Sequence, residues 1–157
     1  MKHNFDRRDF LKTATLAGLG MALSPKSTLA DDFKAKQKQV SIGFLGVGNR
    51  GRSHLRTISR LPNVSVPAIC DIDPDAIAST QKTLQNNGHE KAEVYSENEH
   101  SYRKLLERED IDGVIIATPW RWHAPMSVEA MKMKKYVGVE VPAATTIKGC
   151  WDIVRTH

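Results

Sequence analysis

The run Gly46-Val47-Gly48-Asn49-Arg50-Gly51 has the spacing G-x-G-x-x-G, and a carboxylate, Asp71, follows twenty residues after its last glycine. Each of these residue types has a physical task if the turn cradles a pyrophosphate. Gly46 permits a tight bend off a strand, Gly48 leaves room for the backbone to approach a phosphate, and Gly51 lets the next helix lie close on the sheet. The N-terminus of that helix offers free N–H groups and the positive end of a dipole. Asp71 can accept hydrogen bonds from both ribose hydroxyls of an adenosine, and its charge repels a 2′-phosphate. No Lys or Arg stands in Ile72-Asp73-Pro74 to receive such a phosphate, so NAD is favoured over NADP.

The surrounding pattern supplies the elements that must position these groups. Apolar runs of strand length alternate with helical patterns, which predicts an α/β fold: a doubly wound parallel sheet of the Rossmann, NAD(P)-binding kind, with strand order 3-2-1-4-5. Strands are expected at 40–45, 64–70, 92–95, 113–117 and 136–139, the second one irregular because of Pro67. Helices are expected at about 50–60, from Asp73-Pro74 to Asn86-Asn87-Gly88, at 101–107, at 125–133, and from Thr146 onward. Leu55 and Ile58 form the buried face of the first helix, Ala76, Ile77, Thr80 and Leu84 that of the second, and Tyr102, Leu105 and Leu106 that of the third.

In such a sheet a ligand lies beyond the carboxyl ends of the strands. The candidates are therefore Gly46 to Gly51, Asp71, the segment Thr118-Pro119-Trp120-Arg121-Trp122-His123, and Glu140-Val141-Pro142. The 118–123 segment reads as a loop, because Pro119 and Pro125 oppose regular structure around it. Two tryptophans in a loop expose apolar surface unless a flat cofactor, a sugar ring or a neighbouring domain covers them. His123 is placed to bond a ribose or substrate hydroxyl, or to cap a helix. Arg50 either meets a phosphate or projects into solvent. His54, His89 and His100 have no such placement and read as surface residues. Cys70 and Cys150 read as small buried residues on different sides of the sheet, too far apart to pair. No His, Cys or carboxylate set has metal-ligand spacing, so no metal is expected.

Length and charge narrow the field further. A chain of 157 residues builds one domain. The net charge of +5 is concentrated at the start, where residues 1–30 hold five Lys or Arg and two acids, leaving 18 bases and 16 acids in the rest. That mixture argues against nucleic acid as a partner. Residues 1–30 read as a signal peptide. Asp6-Arg7-Arg8-Asp9-Phe10-Leu11-Lys12 is similar to the twin-arginine export motif, an apolar stretch follows from Thr13 to Leu23, and Ser27-Thr28-Leu29-Ala30 offers a cleavage site. The alternative is an amphipathic first helix. Residues 31–38 form a linker, and 39–157 the Rossmann domain. The expected partners thus include the twin-arginine machinery, with no stable membrane insertion and a periplasmic or otherwise exported destination. A dinucleotide enzyme sent there must carry its cofactor and regenerate it within each turnover.

Over residues 38–157 the chain resembles the Gfo/Idh/MocA oxidoreductases, whose Rossmann domains carry the glycine turn, an acid after the second strand, T-P-x-x-x-H and E-K-P. Here the last two read Thr118-Pro119-Trp120-Arg121-Trp122-His123 and Glu140-Val141-Pro142. Val141 stands where those dehydrogenases have the Lys that assists hydride transfer. With G-N-R-G-R, A-T-P-W-x-W-H, E-V-P-A-A and Cys150-Trp151, the chain is similar to glycoside hydrolase family 109, NAD-dependent α-N-acetylgalactosaminidases. That resemblance implies cofactor contacts at Asn49, Arg50, Asp71, Trp120, Arg121, Trp122, His123, Glu140 and Val141. It implies a glycoside substrate hydrolysed by transient oxidation at carbon 3, elimination, addition of water and re-reduction, without the usual carboxylate pair. In that family a C-terminal α/β domain supplies the sugar-binding and acid–base groups. The expectation is a truncated Rossmann portion that is inactive by itself and has no catalytic residue of its own. The alternatives are an NAD-dependent sugar dehydrogenase of the same superfamily and a non-catalytic binding module.

Overall fold

The computed structural model describes residues 39–157, and the 1–30 leader and 31–38 linker expected from the sequence lie outside the described residues. The chain runs β1 (Val40–Leu45), α1 (Asn49–Ile58), β2 (Val64–Ser65), β3 (Ala68–Cys70), α2 (Pro74–Asn86), β4 (Glu93–Tyr95) and α3 (Tyr102–Leu106). It continues through β5 (Gly113–Ile116), a 3₁₀ turn (Trp120–Trp122), α4 (His123–Lys132), β6 (Tyr136–Val139) and α5 (Ile147–Thr156). All strand pairings are parallel, and the sheet order is β4-β3-β1-β5-β6 with β2 beside β1. With β2 and β3 counted as one interrupted strand, this is the expected doubly wound order. Pro67, which has no N–H to give a ladder, stands at the interruption.

Successive residues of a strand face opposite sides, and the core follows that rule. Phe44 and Ile69 pack against Leu55 of α1 and Ala76 and Leu84 of α2. Leu45, Cys70, Val114 and Ile116 pack on the other side against Tyr102, Leu105 and Leu106 of α3 and Met126 and Ala130 of α4. Each fully buried aliphatic or aromatic side chain contributes about 2 kcal/mol. Asp73 caps α2 by accepting from Asp75 N–H at 2.9 Å, and Pro74 opens that helix. Gln81 joins the buried face of α2, its amide paired with both backbone groups of Ala92. The apolar pattern gave no sign of this polar core residue.

Two expectations need correction. The 118–123 segment is not an open loop: residues 120–122 form the 3₁₀ turn and His123 begins α4. Pro125 fits because it lies in the first turn of α4, where an N–H has no intrahelical acceptor to lose. Cys70 is buried as expected, but Cys150 is exposed on α5, because that helix buries Gly149 against Ala124 and Ala144 instead. Both thiols are free. Among the described residues no helix is long and apolar enough to cross a membrane.

Candidate dinucleotide site

The chain winds from β1 through β3 to β4 on one side and crosses to β5 and β6 on the other, so the strand order reverses between β1 and β5. A crevice opens at such a reversal, beyond the carboxyl ends of the strands. Here it has a volume of about 230 Å³ and is lined by Gly46, Gly48, Asp71, Thr118, Pro119 and Trp122 among others.

The three glycines of the turn are required for different reasons. Gly46 has φ +84°, and a Cβ there would lie 2.8 Å from the backbone of Ala117 and Thr118. A Cβ on Gly51 would stand 1.9 Å from the Gly46 carbonyl oxygen. Gly48 is different: among the described residues, a Cβ on it would meet nothing within 4 Å. It is the N-cap of α1, gives no side-chain cap, and is followed by no acid in the first turn. The uncapped N–H groups and the dipole of α1 therefore remain available to an anion.

Asp71 is held at the floor of this turn. Val47 N–H donates to its Oδ2 at 2.7 Å and Asp73 N–H to its Oδ1 at 3.0 Å. Each carboxylate oxygen has a second lone pair for a ligand hydroxyl. Beside it, burial and the Asp71 charge push the Cys70 thiol up to about 12.

Trp122 is half-buried. Its ring meets His100 edge-on at 5.3 Å and Tyr102 at 6.1 Å, and the Arg121 guanidinium lies 5.9 Å from its centroid. Arg121 also donates to Glu99 Oε1 at 2.6 Å. The protein thus covers part of Trp122 itself, while Trp120 stays 63% exposed. His123 is only 1% exposed. Its Nδ1 lies 2.8 Å from the Pro142 carbonyl oxygen and its Nε2 2.8 Å from that of Thr118. The ring has no exposed nitrogen to offer a ligand; it braces the segments that leave β5 and β6.

At the end of β6, Glu140 Oε1 accepts from Arg50 Nη2 at 2.7 Å, Arg50 Nε at 3.2 Å and His54 Nε2 at 2.5 Å, while Val141 N–H donates to Oε2 at 3.1 Å. Hydrogen bonds from His54, Arg50 and the Val141 backbone hold the carboxylate down to about 2. Val141 itself is 78% exposed, and Asn49 lies on the first turn of α1, where its Oδ1 accepts from Arg52. Reading His54 as a mere surface residue is therefore incomplete. The signal was its position four residues after Arg50, which places both on one face of α1. His89 and His100 are likewise engaged, with the Ser59 carbonyl and the Trp122 ring respectively.

Comparison with known proteins agrees with this geometry. The chain is 39% identical over 170 residues to a protein named glycosyl hydrolase family 109 protein 1 from Shewanella sp. (strain MR-4), covering 98% of this chain and 37% of that one. It is 36% identical over 168 residues to a glycosyl hydrolase family 109 protein from Saccharopolyspora erythraea, covering 97% and 36%. The chain thus spans little more than a third of the length of the curated relatives it matches. Among solved structures, myo-inositol dehydrogenase from Lactobacillus casei, in complex with NAD(H) and myo-inositol, superposes with a TM-score of 0.63 at 28% identity, over 75% of this chain and 33% of that one. Residues 40–157 match the family model described as oxidoreductase family, NAD-binding Rossmann fold, and the chain belongs to that family, the Gfo/Idh/MocA oxidoreductases.

Proposed function

We propose that this chain is the NAD-binding portion of an exported glycosidase that works by transient oxidation of its sugar. The observation that carries the cofactor assignment is Gly48. The fold's own backbone requires Gly46 and Gly51, whereas among the described residues nothing occupies the space over Gly48. A missing side chain that packing does not demand is explained by a ligand that must approach the main chain.

The residues fit the group. The turn from Gly46 to Gly51, with the N–H groups of Asn49 and Arg50, would hold the pyrophosphate. Asp71 would hold the adenosine ribose and select NAD over NADP. Trp122 and the 118–119 backbone would wall the crevice, and Glu140 and Val141 would flank the nicotinamide half, whereas Trp120 and Arg121 line a separate surface cavity with Ala124 and Pro125. Bound NAD supplies a hydride acceptor and donor at one sugar carbon. Val141 stands where the family's dehydrogenases have a Lys, and that difference supports the glycosidase reading; transient and net oxidation alike release the proton of a substrate hydroxyl, which would have to go to a group other than residue 141. The names of the family 109 relatives support the same reading.

Calorimetric titration tests the cofactor assignment: NAD should bind more tightly than NADP, and absence of heat with NAD would sink it. For the full-length gene product acting on an N-acetylgalactosaminide, exchange of the carbon-2 proton with solvent without net NADH is the expected result. Net NADH from free sugar would instead favour a dehydrogenase, the reading suggested by the L. casei structure. The export leader, and with it a periplasmic location, rests on Arg7-Arg8 and the Ala30 site. A reporter fused to residues 1–30 should reach the periplasm only in cells with a working twin-arginine pathway.

A further inference from the structure

Glu140 is the meeting point of two elements that the sequence separates by more than eighty residues. Its Oε1 takes both contacts from Arg50 and the contact from His54. Among the described residues, its Oε2 takes only the N–H of the neighbouring Val141. A carboxylate oxygen has room for about two acceptor bonds, so the remaining capacity is on Oε2. A cavity of about 300 Å³ is lined by Glu140 together with His54, Ile115, Gly138, Val139 and Val141.

The two donors on Oε1 are not equivalent. Arg50 has a side chain that is 69% exposed, and a long exposed side chain loses rotamer entropy when it is held in one geometry. His54 is shorter, with its side chain 38% exposed, and its ring is set by the same helix that begins at the glycine turn. It therefore fixes the carboxylate relative to α1, the element that also presents the phosphate-binding N–H groups.

We propose that His54 is a positioning residue for the nicotinamide half of the dinucleotide: by holding Glu140 Oε1 it keeps Oε2 turned to accept a ligand hydroxyl or amide donor. This rests on the cofactor assignment made above and adds to it a residue that acts through Glu140. Val141 brings no polar side-chain atom to this end of the site, so Glu140 is the acceptor whose placement matters.

Titration of NAD and of ADP into the wild type, His54→Ala and His54→Gln, with thermal unfolding of each, is the test. The wild type is expected to bind both ligands. His54→Ala is expected to weaken NAD about tenfold, the scale of one charge-assisted hydrogen bond, and to leave ADP within about twofold. His54→Gln, whose amide N–H can reach the same oxygen, is expected to recover most of the NAD affinity. An unchanged NAD affinity in His54→Ala overturns the proposal, and so does equal weakening of NAD and ADP, which is what a purely structural role produces. If the wild type binds neither ligand, the cofactor assignment itself fails.

Discussion

Asp71 and Val47 are joined by a 2.7 Å hydrogen bond from the Val47 N–H to Oδ2, which ties the carboxylate at the end of β3 to the glycine turn leaving β1. The side chain is thus both a brace for the turn and an acceptor within the crevice. Asp71→Ala removes the acceptor for two backbone N–H groups, since Asp73 N–H also donates to it. A loss of about 2 kcal/mol in urea unfolding is expected, together with at least a tenfold loss of NAD affinity by calorimetry. Unchanged NAD affinity in a folded variant would separate Asp71 from the cofactor.

The glycines give a paired prediction. Gly51→Ala forces a Cβ against the Gly46 carbonyl, so α1 must move off the turn, at a cost of about 3 kcal/mol measured as a lowered Tm. Gly48→Ala meets nothing among the described residues and has an ordinary φ of −63°, so the fold survives with its Tm unchanged within error. Its NAD affinity is nevertheless expected to fall about tenfold or more, because the methyl group occupies the phosphate approach.

His123→Ala removes the ring between the Thr118 and Pro142 carbonyls and leaves a cavity. A destabilisation of about 3 kcal/mol is expected in denaturant titration. Faster amide hydrogen exchange is expected in residues 118–122 and 140–142 together, since the ring connects them. Exchange that rises in only one of the two segments would contradict a brace.

Acid dependence follows from Glu140, which faces Arg50 and His54 from α1 and the N–H of Val141. Its carboxyl is depressed from the ordinary 4.5 to about 2 in the folded protein. A depressed carboxylate stabilises the fold fully above its unfolded value, and the contribution is lost as pH falls through the folded one. The stability difference between wild type and Glu140→Gln should therefore shrink as pH falls from 4.5 to about 2. Urea unfolding across that range measures it.

The thiols should react unequally. Cys150 is exposed on α5, whereas Cys70 is buried at the end of β3 with its thiol pushed up to about 12, so little of it is thiolate at neutral pH. A chromogenic disulfide reagent should modify one cysteine in the native protein and both after denaturation. Rapid modification of both in native buffer would contradict the packing of β3.

The sheet order, both faces of the core and the glycine–aspartate relationship were legible in the sequence because they rest on short-range regularities. Phe44 and Leu45 alternate by the geometry of a strand, Asp73-Pro74 starts a helix through its own dihedral and side-chain preferences, and a tight turn off β1 needs Gly46 whatever surrounds it. The 118–123 segment was misread because Pro125 opposes a helix only beyond its first turn, and whether a helix starts before it depends on what packs there. Gln81 was missed because its partner, the Ala92 backbone, comes from another element.

What the sequence determined by itself was a parallel α/β sheet with a dinucleotide turn at its switch point, since local spacing and period carry that information. What only the tertiary structure decided was the state of each polar side chain around the crevice. It drew Arg50, His54 and Glu140 into one cluster, buried His123 between the Thr118 and Pro142 carbonyls, and covered part of Trp122 while leaving Trp120 exposed. Those outcomes depend on distances between residues far apart in the chain, and a hydrogen bond of under 3 Å is set by packing, which no spacing along the sequence encodes.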